Sequence, residues 1–411
     1  MACKQSPTTD SNIAQQTPES DWIELINGKD LTGWKASENT GTWTAADGMF
    51  QAAGSRSHLF YTGEHLRDSF KNFELEVQVR TYRLANSGIY FHTHYQEEGW
   101  PAKGMEIQVN NSHIGEGTYK ELKKMASLYG TRNLYKSFGT DSTWMTVKAR
   151  VENNRVQVWL DGLKTVDYVQ PEIIKPGVTT LSKGTFCLQG HDTLSKMQYK
   201  SFKVRRLPDD VKSDMAAPAY GAWHDSLKVY QGKQFAFIDL HPHTDMTAAD
   251  LAQYVYSTGI NAALVKLVTD PDFSTATNLP LFTGLKLSVK DIPAFNTTTA
   301  DYTLAISENI NEAKSILSSG KINLWSHQSE VLTIKNAATL LDLAKKNNVA
   351  IEIDNEAKTP SIEVIKLAKA KGCKFSFAGL MPAEKMDKSM YVIDAIKGVG
   401  LTYLDLYVPK W

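Results

Sequence analysis

Glu106, Gln108 and Asn110 occupy every second position of MEIQVN, and His92 and His94 do the same at the end of GIYFHTH. A carboxylate and an imidazole are the side chains most used to move protons, and amides hold hydroxyl groups. Successive side chains of a strand point to opposite faces. Ile89, Phe91 and Thr93, with Met105, Ile107 and Val109, would then line a core, and the polar set would share the other face. One His or Glu on an exposed strand is ordinarily just solvated. Several polar positions in one phase predict a groove, provided both strands lie side by side in the concave sheet of a sandwich. The link between them holds Trp100 with two Gly and a Pro, and could carry a substrate-contacting loop.

The elements around this stretch are predicted from pattern. From Trp22 to about Leu207 the chain reads almost wholly as short strands: FELEVQVR (73–80), two strands joined around Asn153–Asn154, TFCLQG (185–190) and YKSFKV (199–204). This predicts an all-β sandwich or jelly roll, with a helical piece near 119–128. Residues 208–233 have no sustained period and read as a connection. Strand-like runs follow at 235–240, 262–268, 322–325, 349–353, 373–378 and 401–406. Helical patterns near 247–258, 301–319, 334–347, 361–371 and 385–397 alternate with them, the fourth capped by Thr359–Pro360. The second domain, 234–411, is predicted to be α/β with a largely parallel sheet, open or closed into a barrel.

The 411 residues accommodate two domains, and 45 basic residues balance 45 acidic ones. That balance gives no electrostatic reason for nucleic acid or an anionic membrane surface as partner. No apolar run approaches the ~20 residues that span a bilayer. Cys3, Cys187 and Cys373 are far apart and show no CxxC spacing, which argues against a disulfide framework or a zinc motif. Oligomeric state is not legible. Residues 1–20 are a polar Ser/Thr/Pro/Gln tract after Cys3. They resemble the tether of a bacterial lipoprotein acylated on that cysteine, which implies a periplasmic or outer-membrane location and membrane contact through the lipid only.

Taken in order, NGKDLTGW, FKNFELEVQVR, NSGIYFHTHYQEEGWPAKGMEIQVNNSH and FCLQGH…YKSFKVRRL resemble the 3-keto-disaccharide hydrolase domain family, common in Bacteroidetes and Planctomycetes. The resemblance covers Trp22 to Leu207 and implies a concanavalin-like jelly roll acting on 3-keto-glycosides. In that chemistry a C3 ketone acidifies the C2 proton, a base removes it, and the C1 substituent leaves by β-elimination before water adds. Ordinary glycosidases instead flank an oxocarbenium-like centre with two carboxylates. Carried over residue by residue, Glu106 and Gln108 fall on the family's E-x-Q strand, which continues through Asn110 to His113. His92 falls where relatives have Arg or His, Arg80 ends its strand, and Gln189 and His191 fall on the LQ-x-H segment. The resemblance makes Glu106 or His92 the base. Arg80, His94, Gln108, Asn110, His113, Gln189 and His191 would contact sugar or oxyanion, with Trp100 and Tyr119 as stacking surfaces. A divalent metal on Glu106 with histidines is an open alternative, as is a non-catalytic carbohydrate-binding sandwich.

FIDLHPHTDM sets His241 and His243 just after an apolar strand, INLWSH sets His327 after another, and VAIEIDNE places Glu352, Asp354 and Asn355 at a third. This resembles the polymerase-and-histidinol-phosphatase (PHP) family, a distorted β/α barrel of metal-dependent phosphoesterases. The chain departs from it where Lys266–Leu267–Val268 and FAGLMPAE (377–384) replace ligand-bearing segments. The expectation is a degenerate barrel with a remnant site, a single metal on His241, His243 and His327, and metal-dependent phosphoester hydrolysis as the alternative activity.

Overall fold

The computed structural model describes residues 21–66, 69–115, 117, 119–171, 179–210, 235–296, 299–380 and 390–409. The Cys3 tether, most of the 208–233 connection and residues 381–384 of FAGLMPAE lie outside the described residues.

Strand Phe73–Thr81 alternates as its sequence demands, with Phe73, Leu75, Val77 and Val79 buried and the residues between them partly exposed. It lies in a mostly antiparallel sheet with the order Leu163–Val169, Arg155–Leu160, Met145–Glu152, Phe73–Thr81, Lys196–Arg206, Met49–Ala53, Trp43–Ala46, and Ile23–Glu24 adds to Lys196–Arg206. A second sheet of five strands faces it, ordered Trp34–Ala36, Ser57–Tyr61, Thr185–Gly190, Asn86–Thr93, Met105–Asn110. The antiparallel pair of sheets is a jelly-roll-type sandwich. Side chains from both inner faces meet between them: Phe73 packs edge-on to Phe91 and Phe186, and Trp34 meets Phe50, Tyr61 and Phe202 in the same manner. Truncating one such aromatic to Ala costs roughly 3–5 kcal/mol. The turn at Asn153, with φ of 49°, forms where the Asn–Asn pair predicts it.

No helix forms at 119–128. Residues 125–129 instead run along the free edge of Met105–Asn110, where Met125, Ala126 and Tyr129 donate backbone hydrogen bonds to Asn110, Gln108 and Glu106. The helical reading failed because an edge strand open on one side offers hydrogen bonds that local periodicity cannot show.

The second domain is a closed barrel of seven parallel strands: Ile238–His241, Asn261–Leu267, Phe282–Leu287, Tyr302–Ser307, Leu324–His327, Ala350–Asp354 and Phe375–Ala378. Helices Ala248–Thr258, Ile310–Ser318, Ala337–Lys346, Ile362–Ala370 and Tyr391–Val399 intervene or follow. Strands 282–287 and 302–307 were absent from the sequence reading, which gave 301–319 wholly to a helix. Asn309 ends that strand's extension and caps the helix by accepting from the N–H groups of Asn311 and Glu312. LTYLDL (401–406) forms a short 3-10 turn and a single bridge rather than a strand. Ser361, not Thr359, caps the Ile362–Ala370 helix. Cys187 and Cys373 are buried and unpaired, and no described helix is long and apolar enough to cross a membrane.

Candidate functional site

Strands Asn86–Thr93 and Met105–Asn110 do pair, antiparallel, with Tyr90 opposite Glu106 and Gly88 opposite Gln108. That register makes Tyr90 and Glu106 cross-strand neighbours, and the phenol donates to Glu106 Oε2 at 2.8 Å. On the other side, strand Thr185–Gly190 brings Gln189, whose amide donates to the Tyr90 oxygen at 3.0 Å and lies 3.4 Å from Glu106 Oε1. The missing side chain of Gly88 makes room for the carboxyl: a Cβ there would sit 2.2 Å from Glu106 Oε1.

Above this floor is a cavity of about 460 Å³ lined by Asn86, Tyr90, Trp100, Glu106, Gln108, Tyr119, Glu121, Tyr129, Gln189 and His191. Its size suits a small ligand, and its lining combines aromatic faces with a few convergent polar groups. Burial pushes the Glu106 carboxyl up to about 8. The Tyr90 hydrogen bond opposes this and the charge of Glu121 adds to it. Glu121 is itself buried, accepts from the phenols of Tyr119 (2.7 Å) and Tyr129 (3.1 Å), and pairs with Lys123 at 3.4 Å. Burial and that negative neighbour push both phenols far above their ordinary range, so they remain donors. Trp100, 46% exposed, forms a rim with its ring 5.0 Å from His191, whose Nδ1 lies 2.7 Å from Asp192 Oδ2.

Six of the residues expected at the groove therefore share one cavity: Glu106, Gln108, Trp100, Tyr119, Gln189 and His191. His113 stands behind it, its ring 5.8 Å from His191 and its Nδ1 bonded to the Leu84 carbonyl. Asn110 binds backbone groups of His113 and Lys123 and does not reach the cavity.

His92, expected beside Glu106, lies elsewhere. Its φ of 58° breaks the alternation, and the pairing with Thr185–Gly190 shifts register there. The ring turns into the sandwich against Phe73, its Nδ1 accepts from the Ser182 N–H and its Nε2 therefore donates to the Lys71 carbonyl. His94 is exposed and faces a separate surface depression with Lys103 and Ser182. Arg80 is on the other sheet, bonded to Gln198 and stacked 4.7 Å over Trp144. Asn86, Tyr90, Glu121 and Tyr129 were missed. Asn86 and Tyr90 share the phase that flagged the other polar residues, and counting back from Glu106 across the pair would have found them. Glu121 and Tyr129 reach the cavity through the irregular edge segment, which has no period to read.

The barrel holds a second cluster at the C-terminal ends of its strands. His241 Nδ1 lies 3.1 Å from Glu352, His243 lies 3.6 Å from Asp354, and ligand atoms of His241, His243 and Glu352 all fall within 4.8 Å of one another. This is a metal-capable group among the described residues. Burial works against the Glu352 charge, but the charge and hydrogen bond of His241 outweigh it and hold its carboxyl below the ordinary range, while His241 is raised in return. Glu352 takes the place foreseen for His327, whose Nδ1 is turned to the Gln328 carbonyl.

Residues 21–205 match the family described as 3-keto-alpha-glucoside-1,2-lyase-like domain. Two solved structures of Parabacteroides distasonis proteins, described as candidate glycosyl hydrolases, are similar to the chain. One is 21% identical, covering 46% of this chain and 95% of its own, with a TM-score of 0.37. The other is 23% identical, covering 45% and 99%, with a TM-score of 0.36. The carbohydrate-binding module CBM66 of Bacillus subtilis is 15% identical over 42% of this chain and 96% of its own, with a TM-score of 0.31. Scores of this size leave the sandwich assignment resting on the strand order itself. No curated protein matches the chain. By the family match, the first domain is similar to domains of carbohydrate-directed lyase or hydrolase type, and that match ends before the barrel begins.

Proposed function

We propose that the sandwich cleaves 3-keto-glycosides in the cavity above Glu106. The observation that carries this reading is a buried carboxyl, pushed up to about 8, at the floor of an aromatic-lined pocket. A base that removes a proton beside a ketone works best with its pKa near the working pH. The ionised Glu106 takes the proton from C2, and the C–H electrons form the C2–C3 enolate with charge on the C3 oxygen. The Gln108 amide on the wall, which gives one N–H to Asn86 and keeps a second, is a donor for that charge. The enolate then expels the C1 substituent, which takes up the proton held by Glu106 and leaves as the free alcohol, returning Glu106 to its ionised form. Water adds across the new C1–C2 double bond, hydroxyl to C1 and proton to C2, so glycoside and water give 3-keto sugar and alcohol. Trp100 and Tyr119 offer faces on which a sugar ring stacks. The family match over 21–205 supports the substrate class.

Release of the aglycone from an aryl 3-keto-glucoside is the test. The wild type should release it, and Glu106→Gln should lose about 10²–10⁴-fold in rate. Equal, background-level release by both, with retained sugar binding, would replace this reading by a non-catalytic carbohydrate-binding sandwich.

His241, His243 and Glu352 favour a second, separate reading for the barrel: a site for one divalent cation with three protein ligands and an open position, serving PHP-like phosphoester hydrolysis. Metal-dependent hydrolysis of an aryl phosphate, lost in His241→Ala, is the expected result; none after metal addition would exclude it. A lipid on Cys3 and a periplasmic or outer-membrane location belong to the same proposal, and incorporation of labelled palmitate, lost in Cys3→Ser, tests them.

A further inference from the structure

The far wall of the cavity belongs to neither sheet. Tyr119, Glu121 and Tyr129 come from the irregular segment that continues to Lys136, and this segment ends against the barrel. Leu134 and Tyr135, each 1% exposed, pack among the barrel's core side chains rather than the sandwich's. The side chain of Asn261, itself buried, grips the segment twice: its Oδ1 accepts from the Tyr135 N–H at 3.0 Å and its Nδ2 donates to the Asn133 carbonyl at 2.7 Å. The Tyr135 phenol donates to the Phe235 carbonyl at 2.8 Å, and Lys136 pairs with Asp301 at 2.7 Å. Phe235, Asn261 and Asp301 all stand at or just before the N-terminal ends of barrel strands.

From the gripped end, bonds lead back to the cavity. Leu134 exchanges backbone bonds with the segment, accepting from the Lys124 N–H at 2.9 Å and donating to Ser127 Oγ at 2.8 Å. Ser127 and Tyr129 then bond the backbone of the strand that carries Gln108 and Glu106. Lys123, adjacent to Lys124, holds Glu121.

We infer that the barrel serves as the positioning element of the sugar cavity, with Asn261 as the positioning residue that sets the wall bearing Tyr119, Glu121 and Tyr129. The ligand named here rests on the proposed function; the geometry does not. The barrel's His241 cluster is at the opposite ends of the strands, so this bracing is independent of any metal there.

The full-length Asn261→Ala variant tests it by amide hydrogen exchange and by the pH profile of 3-keto-glucoside cleavage. Loss of the two side-chain bonds should speed exchange of amides in 121–136 about tenfold. Exchange in barrel strands 324–327 and 350–354 should be unchanged. The groups facing Glu106 are Tyr90, Gln189, Cys187, Glu121, Lys123 and the phenols of Tyr119 and Tyr129. As Glu121 drifts away, the Glu106 limb of the profile should move to lower pH and KM should rise. Wild-type exchange in 121–130 together with an unmoved limb would overturn the inference. Should Asn261→Ala disturb the barrel strands, Tyr135→Phe, which removes the bond to the Phe235 carbonyl and the longer one from the Asn133 amide, is read in the same way with about a threefold effect expected. A wild type that cleaves no 3-keto-glycoside would sink the functional reading alone, since exchange still decides the bracing.

Discussion

Glu106 and His92 are both polar residues of one expected groove, and their surroundings send them in opposite directions. The Glu106 carboxyl is raised to about 8 from an ordinary 4.5, so as a base its active form grows with pH. If it removes the C2 proton, kcat/KM should climb to a plateau above about pH 8, and a falling limb there would assign it the acid's role instead. The same shift has a thermodynamic sign. Between pH 4.5 and 8 the folded chain holds a proton that the unfolded chain releases, so stability declines as pH rises across that window. Glu106→Gln should therefore melt higher than the wild type at pH 8.5 and nearly level with it at pH 4.5, as calorimetry at the two values would reveal. His92 is lowered to about 4 by burial, and its stabilising contribution, full above 6.5, fades as pH falls toward 4. Because its two ring nitrogens tie Lys71 to Ser182 inside the fold, His92→Ala should cost about 1–3 kcal/mol of stability in denaturant unfolding. Turnover per folded molecule should not change.

At the scale of elements, the cavity depends on one strand pair and one edge. Gly88 has no left-handed φ to justify it; the space it leaves is filled by the Glu106 carboxyl. Gly88→Ala should thus spare the fold, because the long Glu106 side chain can swing away, yet lower turnover at least about tenfold by undoing the Tyr90–Glu106 pairing. Melting curves beside turnover measurements separate the two effects. Alternation made this pair legible before any coordinates: it placed Ile89, Phe91, Met105, Ile107 and Val109 in the core and Glu106 and Gln108 on the opposite face. It failed at His92, where a backbone kink reverses the phase, and at 119–130, where the bonds that organise the segment come from a strand edge and from a distant domain. In the barrel, strand–helix alternation was enough to reveal a parallel sheet. Two strands escaped because FTGLKL and YTLAIS are short and abut loops and a helix whose patterns run into them.

For the whole molecule, the barrel is used at both ends. Its C-terminal rim carries His241, His243 and Glu352, and a divalent ion bound there at 100 times its Kd would add about 2.7 kcal/mol to stability. Zinc titrated into the full chain should raise Tm, and His241→Ala should abolish that rise while leaving sugar cleavage intact. The N-terminal rim receives Leu134 and Tyr135 from the sandwich, and this has a consequence for how the chain is made. The sandwich leaves the ribosome first, and domains generally begin folding in that order. Yet two of its side chains have their seat among residues synthesised 100 or more positions later. A nascent chain released before residue 235 would hold both sheets and still lack the partners of Tyr135 and Lys136. The part of this protein made first is the last to be completed.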